Sequence, residues 1–438
     1  MVKLWTYASI LALGTLVAAC DRGFILEGER FPLRAPFAEG AGEAPANRAV
    51  PISLPASVSN AAWTHRLGTP STRIAHPALG GSLQPLWSVQ IGQGEGRRHR
   101  ITAEPVASGG LIYTLDSRAQ VTAVTTQGQI AWTRDLTPSF TRSGDGASGG
   151  GLAVANGRLY VTSAFGVLAA LDLASGNVVW TKTFDAPLSG APTVAGDRVY
   201  VVAADSTAWS INAATGQTDW QLSGTPSTAS MVGGAAPAIA GNLVLFPTPA
   251  GELIAAQRDT GQTMWRTVIA GTRVGVAYAK VTDVTGDPVV QGDQVFVGNQ
   301  SGRVMALNTR DGSRIWTADE AAYGPVWPVG GSVFLMSDRN RLIRLNSSNG
   351  EFIWAQPLPL HTQTRERRRA EIYTHYGPVL AGGRLIVASG DGLIRLFDPA
   401  SGALNGQIEL RGGAAVSPIV VGGTLYVLSS DGRLHAYR

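Results

Sequence analysis

Beyond residue 84 the apolar residues fall in short alternating runs, each closed by a tight turn. Val199-Tyr200-Val201, Val295-Phe296-Val297, Leu385-Ile386-Val387 and Leu425-Tyr426-Val427 all follow a Pro-x-x-x-Gly-x-x lead. Alternation of this kind predicts half-buried β-strands. Ser301-Gly302, Asp391-Gly392 and Asp431-Gly432 then reverse the chain, glycine supplying the positive φ that such hairpins need. A third run (Val304-Met305-Ala306-Leu307), a second glycine turn and a fourth run carrying Trp complete the unit. Four short antiparallel strands describe one blade of a propeller.

The unit recurs. Ala170 to Gly176 to Trp180, Ala255 to Gly261 to Trp265 and Ala306 to Gly312 to Trp316 share one spacing. Ser210 to Gly216 to Trp220 and Arg344 to Gly350 to Trp354 keep the Gly and Trp but replace the Ala, and Gly128 to Trp132 has a shorter turn. Trp87, Trp132, Trp180, Trp220, Trp265, Trp316 and Trp354 stand 38 to 51 residues apart, as expected for four-stranded blades of about 40–50 residues. A further full unit, from Pro378 to about Leu410, has Gly402 in the turn but Gly406 where Trp is expected. The chain ends on three strands, Pro418 to Tyr437, and Leu86-Trp87-Ser88-Val89 is a lone fourth strand with no blade before it. Pairing the two ends closes the ring and removes its open edges. The expectation is an all-β, eight-bladed propeller of four-stranded antiparallel blades over 84–438, the last blade closed by N- and C-terminal strands. A Trp repeated at one register is read as packing between blades rather than as ligand contact.

Composition fits this picture: charged residues are 15%, and there are 54 Gly and 24 Pro. The net charge of +4 does not argue for nucleic acid. Residues 1–19 read as a signal peptide, with Lys3 ahead of an apolar run, Leu4 to Val17. Small residues before Cys20, the only cysteine, resemble a bacterial lipobox, which implies lipidation at Cys20 and a membrane anchor. Residues 20–83 read as a lipid-anchored tether and strap, partly disordered up to about residue 60, with Trp63 and Arg73-Ile74-Ala75-His76-Pro77 placed on the propeller surface. Two basic clusters, Arg97-Arg98-His99-Arg100 and Arg365-Glu366-Arg367-Arg368-Arg369, fall outside the strands. They read as solvated loop charge, with an acidic protein face or anionic headgroups as alternatives. The long insertions 134–151 and 268–286 have the length of functional loops.

No catalytic motif stands out. The six His form no metal-binding pair, and neither a nucleophile elbow nor a phosphate loop is present. The expectation is no enzyme activity, no cofactor and no metal site.

The Ala-x-Asp-x-x-x-Gly-x-x-x-Trp unit resembles the docking motif of pyrroloquinoline-quinone-like propeller repeats. Two branches share it: quinoprotein dehydrogenases and the BamB family of lipoproteins of the outer-membrane β-barrel assembly machine. With the lipobox, eight blades and this length, the chain is similar to the BamB family. That resemblance implies a non-enzymatic scaffold, a monomer within a complex, on the periplasmic face of the outer membrane. It implies binding to periplasmic POTRA domains of BamA, with unfolded outer-membrane proteins as further partners. The family's contact stretches map onto Ala229-Ser230-Met231-Val232-Gly233 and Asp283-Val284-Thr285, with Val232 in place of an Arg and Thr285 in place of an Asp. Both stretches are expected on exposed loops. The alternative, a dehydrogenase, typically shows adjacent cysteines, which this chain lacks.

Overall fold

A computed structural model describes residues 45–438, apart from 140, 142–147, 189, 228–229, 270 and 272–280, and apart from the side chain at 366. The leader 1–19, Cys20 and Ala229 lie outside the described residues. The chain folds into eight four-stranded antiparallel sheets, the blades of one propeller. Blade 1 is built from Val106–Ser108, Leu111–Leu115, Gln120–Thr125 and Ile130–Asp135, and six more follow in chain order. Blade 8 joins Ile419–Val421, Thr424–Leu428 and Arg433–Tyr437 to the N-terminal strand Pro85–Gln90. Gln84 and Arg438 exchange both backbone hydrogen bonds where the two ends meet, at 2.8 and 2.9 Å.

First strands of neighbouring blades lie against one another, so they line the axis. Fourth strands alternate exposed and half-buried residues, as an outer rim does. Antiparallel order fixes two faces. The glycine turns between strands one and two, and three and four, share one face. The longer connections between blades all emerge on the other, here the loop face.

A row of three residues crosses each blade at one register, on strands two, three and four. Tyr160, Ala170 and Trp180 form one row, Phe296, Ala306 and Trp316 another. The outer rings meet across the middle residue, with centroids 6.0 Å apart in both rows. The same alanines also belong to apolar clusters shared with the next blade, Ala170 with Val199 and Val201, and Ala306 with Val333 and Leu335. Blade 7 redistributes the volume as Ile386, Leu396 and Gly406.

Each Trp then docks on the next blade. Six indole N–H groups, from Trp87 to Trp316, donate to carbonyls in the neighbouring glycine turns at 2.8–3.3 Å. Gly176 shows why the turn residue has no side chain. Its φ is +68°, and a Cβ there would lie 2.4 Å from the Trp132 ring. Trp354 packs on Gly402 likewise, but the neighbouring carbonyls of Pro399 and Ala400 are taken by Arg344 at 3.3 and 3.0 Å. Gly406 now has a physical reason. The next blade's corresponding turn is the junction of Gln84 with Arg438, where the chain has its two ends instead of a glycine turn.

Candidate partner-binding face

Residues 60–77 contain no regular element, yet they are held by every blade. Asn60 bonds Val420 and Gly422 of blade 8, and Trp63 forms a bridge to Ala107 of blade 1. Thr64 O accepts from Val154 of blade 2 at 2.8 Å, and His65 Nε2 accepts from Val194 of blade 3 at 3.0 Å. Pro70 and Ser71 carbonyls accept from Ile239 of blade 4 and Val290 of blade 5. Arg73 donates to Pro325 and Val326 beside blade 6, and its guanidinium lies over Trp327, 4.9 Å from the ring centroid. Pro77 O and His76 Nε2 accept from Gly382 and Gly383 of blade 7. The segment is a plug that circles the axis once and gives the inner strand edges partners for their N–H groups. The expectation that Trp63 and residues 73–77 strap the propeller surface is corrected: Trp63, Arg73 and His76 are buried at the axis, and His76 is one of these fastenings.

Arg66 projects from the plug toward the loop face. It pairs with Glu104 and Asp287 at 2.9 Å each and donates to Gly234 O at 3.0 Å. Asp287 also accepts from Ala236 N at 2.9 Å, so one buried carboxylate ties the plug to the 230–237 connection. Burial pushes the Arg66 guanidinium down, but Asp287 and Glu104 outweigh it and hold the group above its ordinary value. Nothing in the local sequence announced this cluster, because its members lie far apart in the chain and only the closed ring gathers them.

The two stretches singled out from the sequence meet on the loop face. Asp283 Oδ2 accepts from Met231 N at 2.5 Å. Met231 and Val232 stand out, 37% and 56% exposed. Asp283 and Thr285 do not. They are 4% and 7% exposed, and Thr285 Oγ1 donates to Ala322 O. The expectation that Asp283 lies on an exposed loop is therefore corrected: its carboxylate is turned inward to cap the backbone of the Met231 stretch. Burial pushes Asp283 up to about 6, and the Met231 N–H partly offsets that rise. A direct contact from Asp283 to a partner is replaced by a positioning role, leaving Met231 and Val232 as the apolar shelf. A small cleft beside them is lined by Ser230, Gly234, Pro247, Thr248 and Asp283. Among the described residues no group of three or more His, Cys, Asp or Glu could hold a metal ion.

A family model described as outer membrane protein assembly factor BamB matches residues 117–356 and 363–438. BamB of Pseudomonas aeruginosa is 29% identical over 357 residues, covering 81% of this chain and 89% of that protein. BamB of Shewanella oneidensis is 25% identical over 365 residues, covering 80% and 87%. Among solved structures, BamB of Moraxella catarrhalis superposes with a TM-score of 0.66 at 18% identity, covering 82% of this chain and 100% of that one. The quinohemoprotein alcohol dehydrogenase of Comamonas testosteroni shares the fold, with a TM-score of 0.61 at 15% identity over 86% and 80%. The propeller is thus common to enzymes and assembly factors, and these sequence relatives carry the assembly-factor name. With a family model matched across most of its blades, this chain belongs to the BamB family of outer membrane protein assembly factors.

Proposed function

We propose that the protein is a non-enzymatic scaffold of the β-barrel assembly machine, held at the periplasmic face of the outer membrane by lipid on Cys20. Its loop face takes a periplasmic POTRA domain of a BamA-type protein, and so assists folding and insertion of outer-membrane proteins. The observation that carries the reading is the joining of the two candidate stretches into one platform. Met231 and Val232 are exposed together, and the Asp283 carboxylate holds the backbone beneath them. Ala229 and Thr285 flank that platform in sequence. A few apolar anchors at the centre of a contact commonly carry most of its affinity.

The test is capture of BamA by the tagged full chain from membranes in mild detergent. Met231→Asp with Val232→Asp should lower the BamA recovered about tenfold or more while thermal melting is unchanged, because both side chains are exposed. Asp283→Asn should lower it less, acting only through the loop it positions. Undiminished capture by the folded double variant removes this site. An eluate with no BamA and a bound quinone absorbance overturns the scaffold reading.

A further inference from the structure

The chain reaches the propeller along the outer edge of blade 6. Arg48 N donates to Ile353 O at 2.9 Å, and the Asn47 side chain exchanges two hydrogen bonds with the backbone of Ala355. Asn47 faces Ala355 and Arg48 faces Ile353, so the segment runs antiparallel to the strand Phe352–Pro357. Val50 and Pro51 then bond Arg344 at the glycine-turn face. The pairing buries Ile353 to 5% exposure, whereas Val179, Met264 and Ile315, also directly before a Trp on an outer strand, are 41–49% exposed. The edge of blade 6 is thus a built exit, fixed in direction. The chain enters from the Pro357 end of that strand, on the loop face.

At the same end begins the insertion 358–374, which carries four arginines and one glutamate at 365–369. Arg365, Arg367, Arg368 and Arg369 are all exposed, on and around a short helical turn at Glu366–Arg368. The second basic cluster lies on the same face, two connections further round, where blade 8 passes to blade 1. There Arg97, Arg98 and Arg100 are exposed. The Met231 platform occupies the connection between blades 3 and 4, on the opposite side of the ring.

We propose that the loop-face sector of blades 6 to 8 lies on an anionic phospholipid surface, with the 365–369 insertion in contact with the headgroups. Where the chain emerges and what charge surrounds that point agree. Only twenty-six positions of sequence separate Cys20 from Ala46. Anchoring the chain there brings the nearest sector down first, and that sector is arginine-rich. A lipidated cysteine already holds the chain to the bilayer, and a basic patch adds attraction to anionic headgroups that selects which sector faces them. The inference rests on lipidation of Cys20, and it adds an orientation. The membrane takes blades 6 to 8, leaving the Met231 platform open to a partner standing in the periplasm.

Cys20 is the only native cysteine, so a single introduced thiol can be labelled. The experiment uses the full-length lipoprotein carrying Thr364→Cys, or Gln217→Cys on the far side of the ring, labelled with a donor fluorophore. It is reconstituted in vesicles holding a headgroup-labelled acceptor lipid. In phosphatidylglycerol-containing vesicles the label at 364 should transfer at least about threefold more than in phosphatidylcholine vesicles. The excess should vanish near 0.5 M salt, where the Debye length is only about 4 Å. The label at 217 should show no such excess. Arg365→Glu, Arg367→Glu and Arg368→Glu together should abolish the excess at 364. Equal transfer in both lipids, or an excess that survives charge reversal, overturns the proposal. Intact mass of the N-terminal cysteine reports the anchor separately. If it carries no lipid, the anchor reading fails, and anionic-selective transfer by the soluble chain still decides whether this face binds the headgroups.

Discussion

At the rim of the ring, Trp180 docks on Gly216 of the next blade, and the same contact recurs around most of the circle. At the axis, Trp63, His65, Arg66 and Arg73 each hold different partners through a different kind of bond. Both regions join blades. The rim does so by repetition, so each contact is worth about the same and depends mainly on its neighbours. The plug does so once, with a buried ion cluster whose parts cannot be replaced by another copy. Loss of a rim contact should therefore be local and graded, and loss of a plug contact should be felt by several blades together.

The largest effect should come from Arg66→Ala. Glu104 and Asp287 would stay buried without their cation, costing about 5 kcal/mol, read as a fall in the denaturant midpoint of the full chain. A loss under about 1 kcal/mol would show that the plug is dispensable and undo the comparison. Trp316→Ala removes one rim contact. It should cost about 4 kcal/mol, with hydrogen exchange quickening in the two blades it joins rather than throughout the ring.

His65 gives a pH test of the plug. Its Nε2 accepts from Val194 N, and burial pushes the imidazole from 6.5 down to about 4. The unfolded chain takes up this proton first as pH falls, so the stability contributed by neutral His65 is present above 6.5 and is lost toward 4. Over that window the wild type should lose about 3 kcal/mol more than His65→Gln. Parallel pH profiles would mean that the plug releases His65 before the ring opens. Asp283 has the opposite sign. Its raised value, about 6, makes stability grow as pH falls below that point, so the comparison must be between these two chains at each pH.

The smallest effect is expected from restoring the absent rim residue. Gly406→Trp has no glycine turn to dock on, and Leu396 already fills the row beside it. A destabilisation of about 1–2 kcal/mol is expected. A gain in melting temperature would show that the chain junction accepts the ring after all.

The rim was legible because a repeated contact writes a repeated pattern. Trp, the glycine turn and the small residue recur at one spacing, and even the irregular unit at Gly402 to Gly406 could be placed. The reason for Gly406 could not be seen, since it depends on which blade lies beside the chain ends. The candidate platform was legible only in part. Met231 and Val232 are exposed as expected, but Asp283 reads as a surface acid until its bond to Met231 is seen.

What the sequence determined by itself is what local pattern can encode. Alternation makes the strands, glycine makes the turns, and the period sets the number of blades and the closure by the two ends. Tertiary structure alone decided that residues 60–77 fill the axis, that Arg66 meets Glu104 and Asp287, and that the chain leaves beside the basic insertion. Those contacts join single residues separated by up to hundreds of positions. They have no period to betray them, and each exists only once the ring has closed and brought eight inner edges around one segment.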